Sequence, residues 1–286
     1  MAFNGTGSNV TSLNATNIAS GTVPTARLAS GTADSTTFLR GDQTWAAAGG
    51  EFTILNTQIF TSSGTWTKPA GLSATDTVIA VLIGGGASGD ALRDSQGIGI
   101  SGGSGGGVLS VAIPYSSTSN TTVTVGAGGA ARTDNNGGTV TGAPGGTTSF
   151  GSAYRAFGGN AGSAPIFATG ASGPMNSSFN GGPGASAAAT GDGWTGGGGG
   201  METIQNSVFT RAGLTGTVFG AGGNGGNRTA ATAGTAPGGG GGANFTWNGT
   251  STSAAGARGE ARVYVVKGRV PASAIWDETT KVTYSR

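Results

Sequence analysis

One stretch of the sequence has the spacing of a dinucleotide-binding loop. The β-branched run 78–83 is followed by Gly84-Gly-Gly-Ala-Ser-Gly89, which fits a strand plus G-x-G-x-x-G. The motif holds a pyrophosphate only when a helix follows, because the helix N-terminus supplies the anion site. Residues 90–96 allow only about two helical turns, and the next predicted strand, 108–113, ends without an acidic residue for a ribose. In a chain with 61 glycines such matches arise by chance, and we predict no cofactor.

The acidic residues offer little for general acid–base chemistry, which needs two carboxylates with at least one in an unusual environment. The chain has 12 of them, and the close pairs in sequence are Asp90/Asp94 and Asp277/Glu278. Solvated loop or tail positions account for both pairs. Cysteine and histidine are absent, which excludes disulfides, Cys/His zinc sites, thiol nucleophiles and His-based triads. We therefore expect no enzymatic activity.

Aromatic residues between the glycine bursts are the candidates for contact with another molecule. Two interpretations stay open: buried anchors that fix turns on a glycine core, and exposed platforms that contact a sugar face or an apolar patch. Phe157 and Phe219 each stand directly before a glycine burst and are predicted to be anchors. The residues predicted to make such contacts are Phe167, Phe179, Trp194, Phe209 and Trp247.

Charge and hydropathy exclude several classes of partner. Charged residues make up 9% of the chain and the net charge is +2, without a cluster of Lys and Arg, so no nucleic acid is expected. No run approaches the roughly 18 apolar residues of a membrane span. Residues 1–4 lack the basic and apolar regions that begin a signal peptide. We expect no membrane insertion.

The elements that must position these residues are dominated by glycine. Glycine contributes no side chain to a core and loses the most backbone entropy on folding, so the chain is either disordered or packs backbone against backbone. Irregular spacing and only nine prolines exclude collagen. Helices of the polyproline II type could bond side by side if glycine lets their backbones approach. The bursts lie at 84–86, 102–107, 196–200, 220–226 and 238–242, and segments of turn length lie at 166–180, 201–217 and 227–236.

Short β-branched segments bounded by Gly, Pro or Ser predict strands, and the lack of a sustained 3.6-residue period predicts almost no helix. The expected fold class is mainly β with extensive irregular, polyglycine II structure. A short-stranded base would come from about 50–83, 107–129 and 260–266, and a glycine-rich sandwich tip from about 130–258. The predicted strands are 52–55, 57–60, 78–83, 108–113, 121–125 and 261–266.

Three regions follow from composition. Residues 1–49 carry single apolar residues among Ser, Thr, Asn and Ala, and could bury them where identical copies meet around a threefold axis. We predict a trimerisation segment there, and a disordered leader is the alternative. Residues 50–266 are the predicted glycine-rich domain. Residues 267–286 return to ordinary composition and are predicted to be a C-terminal tail.

Several motifs resemble, in their order and spacing, the glycine-rich domain of bacteriophage tail fibres and adhesins. Residues 12–45 look like a stretch common in phage tail-fibre proteins, so the resemblance covers about 12–266 and leaves 267–286 unmatched. It implies stacked polyglycine II helices, variable distal loops that contact the host surface, and a homotrimer. The motifs are Gly64-Thr-Trp66-Thr-Lys-Pro69-Ala-Gly71, Val78–Gly86, Val123–Gly129, Gly145–Gly151 and Gly259–Val266.

The expected function is that of a phage fibre or adhesin protein located on the virion. Residues 1–49 would mount it on another virion structural protein. Loops such as 163–180 and 201–217 would reversibly bind a polysaccharide or an outer-membrane protein of the host cell surface. The alternative is a purely structural head, neck or tail decoration protein without a receptor. A lytic or depolymerising enzyme is the third hypothesis.

Overall fold

The computed structural model describes residues 53–93, 100–161, 219–227 and 230–270. It divides the chain into two compact units, Met1–Glu51 and Phe52–Arg286. Outside the continuous ranges it describes positions 28, 30, 37–39, 41, 43–47, 177–179, 201–204, 207–210, 274–277 and 282–285.

Strands are the main regular elements, and helix among the described residues is a 3₁₀ turn at Tyr115–Ser117. This confirms the predicted mainly β class. In chain order the strands are β1 Thr37–Leu39, β2 Trp45–Ala47, β3 Ile54–Phe60, β4 Gly64–Trp66, β5 Thr77–Ile83, β6 Ala91–Arg93, β7 Val108–Pro114, β8 Thr121–Thr124, β9 Thr133–Asp134, β10 Gly138–Val140, β11 Thr148–Phe150, β12 Tyr154–Ala156, β13 Ser177–Phe179, β14 Met201–Ile204, β15 Ser207–Thr210, β16 Gly226–Asn227, β17 Asn244–Thr246, β18 Ser251–Thr252, β19 Glu260–Val266, β20 Ala274–Asp277 and β21 Val282–Ser285.

Two antiparallel sheets form a sandwich, which we call the base. One sheet has the order β13-β7-β5-β19-β3 and the other β12-β11-β8-β4. Alternate residues of β5, Val78 and Leu82 among them, face the second sheet and pack with Trp66 and Phe150. The Trp66 and Phe150 rings meet edge to face, with centroids 5.5 Å apart. This core explains why the Gly64–Gly71 motif carries a tryptophan.

The other face of the larger sheet is also buried. Ile79, Val81 and Ile83 of β5 lie on it, and Phe219 and Val270 pack against the same cluster. A strand with both faces covered reads as a continuous apolar run rather than an alternating one. This is why 78–83 is recognisable as a strand in the sequence.

Glycine-rich rods begin where the strands of the base end. Among the described residues nine such segments lie side by side, joined by backbone hydrogen bonds. The first two of these rods, residues 84–90 and 100–107, are buried along their whole length. Rods 1 to 9 comprise residues 84–90, 100–107, 125–132, 141–147, 157–161, 219–226, 230–235, 238–243 and 253–259.

Rod 1 shows the geometry of the array most clearly. Its successive amides donate to rods 2, 4 and 9 in rotation, so every third residue bonds the same neighbour. A period of three is that of the polyproline II helix, which has three residues per turn. The donor–acceptor pairs are Gly84–Gly107, Ala87–Ser104 and Asp90–Ser101 with rod 2, Gly85–Gly146 and Ser88–Ala143 with rod 4, and Gly86–Ala257 and Gly89–Ala254 with rod 9.

Three further rods donate to the carbonyls of rod 1. An amide of rod 5 donates to the carbonyl of Gly85, one of rod 3 to the carbonyl of Gly86, and one of rod 8 to the carbonyl of Ala87. Rod 1 therefore has six neighbours. A Cβ atom on Gly84 would lie 2.0 Å from the carbonyl oxygen of Phe157, and one on Gly85 would lie 2.1 Å from that of Ala127. The expectation that glycine packs backbone against backbone is confirmed for these rods.

The expected division of the glycine-rich domain was wrong in two places. Rod 3 begins at residue 125, inside the predicted base segment 107–129, whereas β11 and β12 lie inside 130–258 and belong to the base. The segment 227–236 was predicted to be a turn, but its second half is rod 7. The amide of Thr235 donates to Ala221 of rod 6 and that of Gly234 to Ala255 of rod 9. Threonine and alanine occupy the exposed positions of rod 7. Rod 7 therefore has no glycine burst by which the sequence could have identified it.

Candidate binding surface at the distal end of the rods

A second small core closes the rods at the end opposite the base. Strands β10, β6, β17 and β16 form one sheet there, and β18 pairs with β9. Leu92, Ile100, Ala243 and Phe245 make a buried cluster, and half-buried Trp247 packs against it. The indole lies edge-on to the Phe245 ring, with 5.3 Å between centroids. These contacts fix the distal ends of rods 1, 2 and 8.

Two loops extend beyond this core and form what we call the distal surface. Loop 135–137 joins β9 to β10 and loop 247–250 joins β17 to β18. The two loops are neighbours because β9 pairs with β18, with Asp134 opposite Ser251. Apart from Trp247, their residues are exposed: Asn135, Asn136, Gly137, Asn248, Gly249 and Thr250.

Asp134 and Arg93 hold loop 135–137 in place. The buried Asp134 carboxylate accepts the amide of Arg93 at 2.8 Å and the amide of Asn136 at 3.0 Å. The Arg93 guanidinium donates to the carbonyl of Asn135. Both charged groups therefore position backbone. The side chains that the loops offer to a ligand are amides and hydroxyls.

Asp90 is a buried carboxylate at the distal end of rod 1, with an exposed fraction of 1%. It accepts the amide of Gly142 at 2.9 Å and the amide of Ser101 at 3.1 Å, and so ties rods 1, 2 and 4 together. Burial raises the pKa of Asp90 above its ordinary value, and the two backbone hydrogen bonds oppose that rise.

Hydroxyl groups also replace carbonyls as acceptors inside the array. The Ser88 Oγ accepts the amide of Ala143 at 2.7 Å, and the Ser104 Oγ accepts the amide of Asn160 at 2.7 Å. Such residues interrupt the glycine bursts in the sequence. An isolated serine within a burst is the signal that could have identified them.

The family comparison covers most of this architecture. A family model described as a glycine-rich domain matches residues 58–266, from β3 to the end of β19. The chain belongs to this glycine-rich domain family. A search of curated proteins finds no match. The glycine-rich domain thus comprises the base, the rods and the distal surface.

The predicted receptor contacts that the structure describes lie on different elements of the glycine-rich domain. Trp247 is the first residue of loop 247–250 of the distal surface and packs, partly buried, against the small distal core. Phe179 lies on β13, where its backbone pairs with Val108 at the edge of the base. Phe209 on β15 pairs with Glu202 on β14. Phe167 and Trp194 lie outside the described residues, as do loops 163–180 and 201–217 apart from their strands.

The two predicted anchors have different outcomes in the glycine-rich domain. Phe219 is 7% exposed and packs against the base, so that prediction is confirmed. The Arg262 guanidinium lies 5.3 Å from the centre of its ring. Phe157 is 36% exposed, and the anchor prediction was wrong for it. Its carbonyl accepts the amide of Gly107 at 2.9 Å. Because backbone faces inward at this position, the side chain is directed outward.

The Gly84–Gly89 motif of the glycine-rich domain is structural. All six of its amides donate to carbonyls of neighbouring rods, and a strand rather than a helix follows it. No amide of the motif is available to a phosphate. In the described ranges, no group of three acidic side chains is placed to hold a metal ion. Those ranges also contain no helix with the length and apolar character needed to span a membrane.

Proposed function

We propose that this protein is a phage fibre or adhesin component that binds a receptor on the host bacterial surface through loops carried by the glycine-rich domain. One contrast supports the proposal. Inside the rods, a Cβ on a glycine such as Gly223 would approach backbone to 1.8 Å, whereas Asn136, Asn248 and Thr250 of the distal loops are exposed. The rods must keep their sequence, while the distal loops can change. Variable loops on a rigid scaffold suit recognition of a variable surface.

The chemistry of the distal surface favours reversible binding. Asn136, Asn248 and Thr250 are exposed and carry hydrogen-bond donors and acceptors. Trp247 presents part of an indole ring beside them. Amides and hydroxyls around an aromatic ring are suited to a polysaccharide or to polar loops of an outer-membrane protein.

The proposed assembly is a homotrimer on the virion. Residues 1–49 would join three chains and attach them to another virion structural protein. The resemblance of residues 12–45 to phage tail-fibre proteins supports this part of the proposal. The division of the chain into the units Met1–Glu51 and Phe52–Arg286 also supports it, because the first unit contains the proposed attachment segment.

Binding of labelled protein to host cells tests the proposal. Replacing Asn136, Asn248 and Thr250 together by alanine removes the polar groups of the distal surface. Saturable binding is expected to weaken at least tenfold, because polar groups of the receptor would be left without hydrogen-bond partners. The matched control replaces exposed Thr65, Thr122 and Ser152 of the base by alanine and leaves binding unchanged.

The competing hypothesis is a structural decoration protein of the virion head, neck or tail. It predicts no saturable binding of the unmodified protein to cells that the virion infects. The receptor proposal also fails when binding survives replacement of loops 135–137 and 247–250 together with 163–180 and 201–217. Immunogold labelling of intact virions locates the chain. Release of reducing sugar or peptide from host envelopes would instead indicate an enzyme.

A further inference from the structure

Asparagine followed by glycine can lose its side-chain amide without an enzyme. The glycine amide nitrogen attacks the asparagine Cγ, since no Cβ obstructs the close approach, and a succinimide ring forms. The proton of that nitrogen leaves with the side-chain NH₂ group as ammonia, and one water molecule then opens the ring to aspartate or isoaspartate. No atom changes its oxidation state. The described residues include the pairs Asn136-Gly137, Asn224-Gly225 and Asn248-Gly249.

Within the rods the backbone of such a pair is held on two sides. The amide of Asn224 in rod 6 donates to the Thr232 Oγ1 at 2.6 Å, and its carbonyl accepts the Thr232 amide at 3.0 Å. A Cβ on Gly242 of rod 8 would lie 2.0 Å from the Asn224 carbonyl oxygen and 3.0 Å from the Gly225 amide nitrogen. Rods 7 and 8 therefore oppose the backbone rotation that ring closure requires, although Asn224 is exposed.

Loop 247–250 of the distal surface imposes no such restraint. Asn248 is exposed, and neither its amide nor its carbonyl has a hydrogen-bond partner among the described residues. A Cβ on Gly249 would have nothing within 4 Å. Asn136 on the neighbouring loop is held at its amide by the Asp134 carboxylate. We propose that Asn248 is a site of spontaneous deamidation, at which the distal surface exchanges a neutral amide for a carboxylate as the protein ages.

Deamidation at Asn248 changes the distal surface in two ways. The carboxylate adds a negative charge and only accepts hydrogen bonds, whereas the amide also donates them. The isoaspartate product in addition carries an extra methylene in the main chain of loop 247–250. Host-cell binding by the aged protein is therefore expected to weaken at least tenfold, a consequence that rests on the proposed function.

Peptide mapping by mass spectrometry tests the site in the full-length protein. Trypsin cleaves after Lys and Arg and places Asn224 in fragment 212–228 and Asn248 in fragment 229–258. The Asn244 side chain, in the same fragment as Asn248, is engaged by the Phe245 amide and the Thr252 carbonyl. During incubation of the folded protein in mildly alkaline buffer, Asn248 is expected to lose its amide at least tenfold faster than Asn224.

Unfolding in urea is the control, because both asparagines precede glycine and should then react at similar rates. Equal rates in the folded protein would overturn the proposal. A difference that persists in urea would overturn it too, since the sequence alone would then set the rates.

Asn248→Gln is the matched variant. Its longer side chain keeps the amide but cannot form the same ring, so fragment 229–258 of this variant should keep its mass. Conversion of that fragment at the unmodified rate would place the reaction elsewhere and contradict the proposal. Deamidation at Asn248 with unchanged binding to host cells would confirm the site and contradict a receptor role for loop 247–250.

Discussion

At the scale of single residues, backbone atoms decide which substitutions the rods accept. The atoms nearest to a Cβ on Gly85 or Gly86 are carbonyl oxygens of rods 3 and 8. A carbonyl that belongs to a hydrogen-bonded rod cannot rotate away as a side chain does. Gly64 on β4 is different, because a Cβ there meets the Phe60 ring at 3.6 Å, an ordinary contact.

Gly85→Ala is expected to lower the free energy of unfolding by about 3 kcal/mol, the upper end of the usual cost of overpacking. The methyl group can be accommodated only if rod 3 moves and its Gly129 amide loses the hydrogen bond to the Gly86 carbonyl of rod 1. Gly64→Ala is the control and should change stability by less than about 1 kcal/mol. Urea denaturation measures both. A Gly85→Ala protein as stable as the control would contradict the described packing.

Asp90 is expected to make stability depend on pH. Its folded-state pKa lies above the unfolded value of 3.8, so the folded protein keeps the proton to higher pH. The stability from this group is fully present below the unfolded pKa and is lost as pH rises through the folded pKa. Asp90→Asn should remove that pH dependence and cost about 1–3 kcal/mol, because its amide group cannot accept the Ser101 amide. Urea denaturation across this pH range compares the two proteins, and identical pH profiles would contradict the prediction.

At the scale of elements, a period of three organises each rod. In rod 3, Gly126 and Gly129 are buried, whereas Ala127 and Ala130 are exposed. No exposed position in the described rods is a glycine. Glycine is therefore used where a neighbouring backbone approaches, and side chains occur where the rod faces solvent or where a hydroxyl replaces a carbonyl.

Ser104→Ala tests the use of a serine hydroxyl in place of a backbone carbonyl as hydrogen-bond acceptor between rods 2 and 5. The Ser104 Oγ accepts the amide of Asn160 and donates to its carbonyl at 3.0 Å. Its removal leaves that amide without its acceptor and should cost about 1–3 kcal/mol. Hydrogen exchange of the Asn160 amide should accelerate at the same time. Ser152→Ala, in the exposed turn between β11 and β12, is the control and should change neither quantity.

At the scale of the whole molecule, contacts distant in sequence hold the glycine-rich domain together. Rod 1 depends on rods formed by residues as far along the chain as 253–259. Strand β19 pairs with both β5 and β3, which precede it by well over a hundred residues. The base and rod 1 should therefore open as one cooperative unit.

Hydrogen exchange tests this cooperativity. The amides of Gly85 and Ala87 are expected to exchange as slowly as that of Val81 in β5, because rod 1 is enclosed by six neighbours. The amides of Ala127 and Ala130, which donate to no described acceptor, provide an internal control and should exchange much faster. Fast exchange at Gly85 together with slow exchange at Val81 would show that the rods open independently of the base.

The sequence by itself determined the elements whose side chains have a clear preference for one secondary structure. The β-branched runs at 78–83, 108–113 and 261–266 predicted β5, β7 and β19. Glycine content together with low charge predicted backbone packing. Strands as short as β11 and β12 escaped detection, because three residues at 148–150 and 154–156 carry too little pattern.

Only the tertiary structure decided which rod is central, which residues face outward and where the distal surface lies. Glycine has no side chain to encode a neighbour, and hydrogen bonds between rods join segments far apart in sequence. The exposure of Phe157 and the burial of Asp90 follow from those bonds. Trp247 could be chosen from its sequence neighbours, but its packing against a cluster that includes Leu92 depends on the pairing of β17 with β6. Composition specified that the rods pack through their backbones, and hydrogen bonds between segments distant in sequence set the arrangement of the rods.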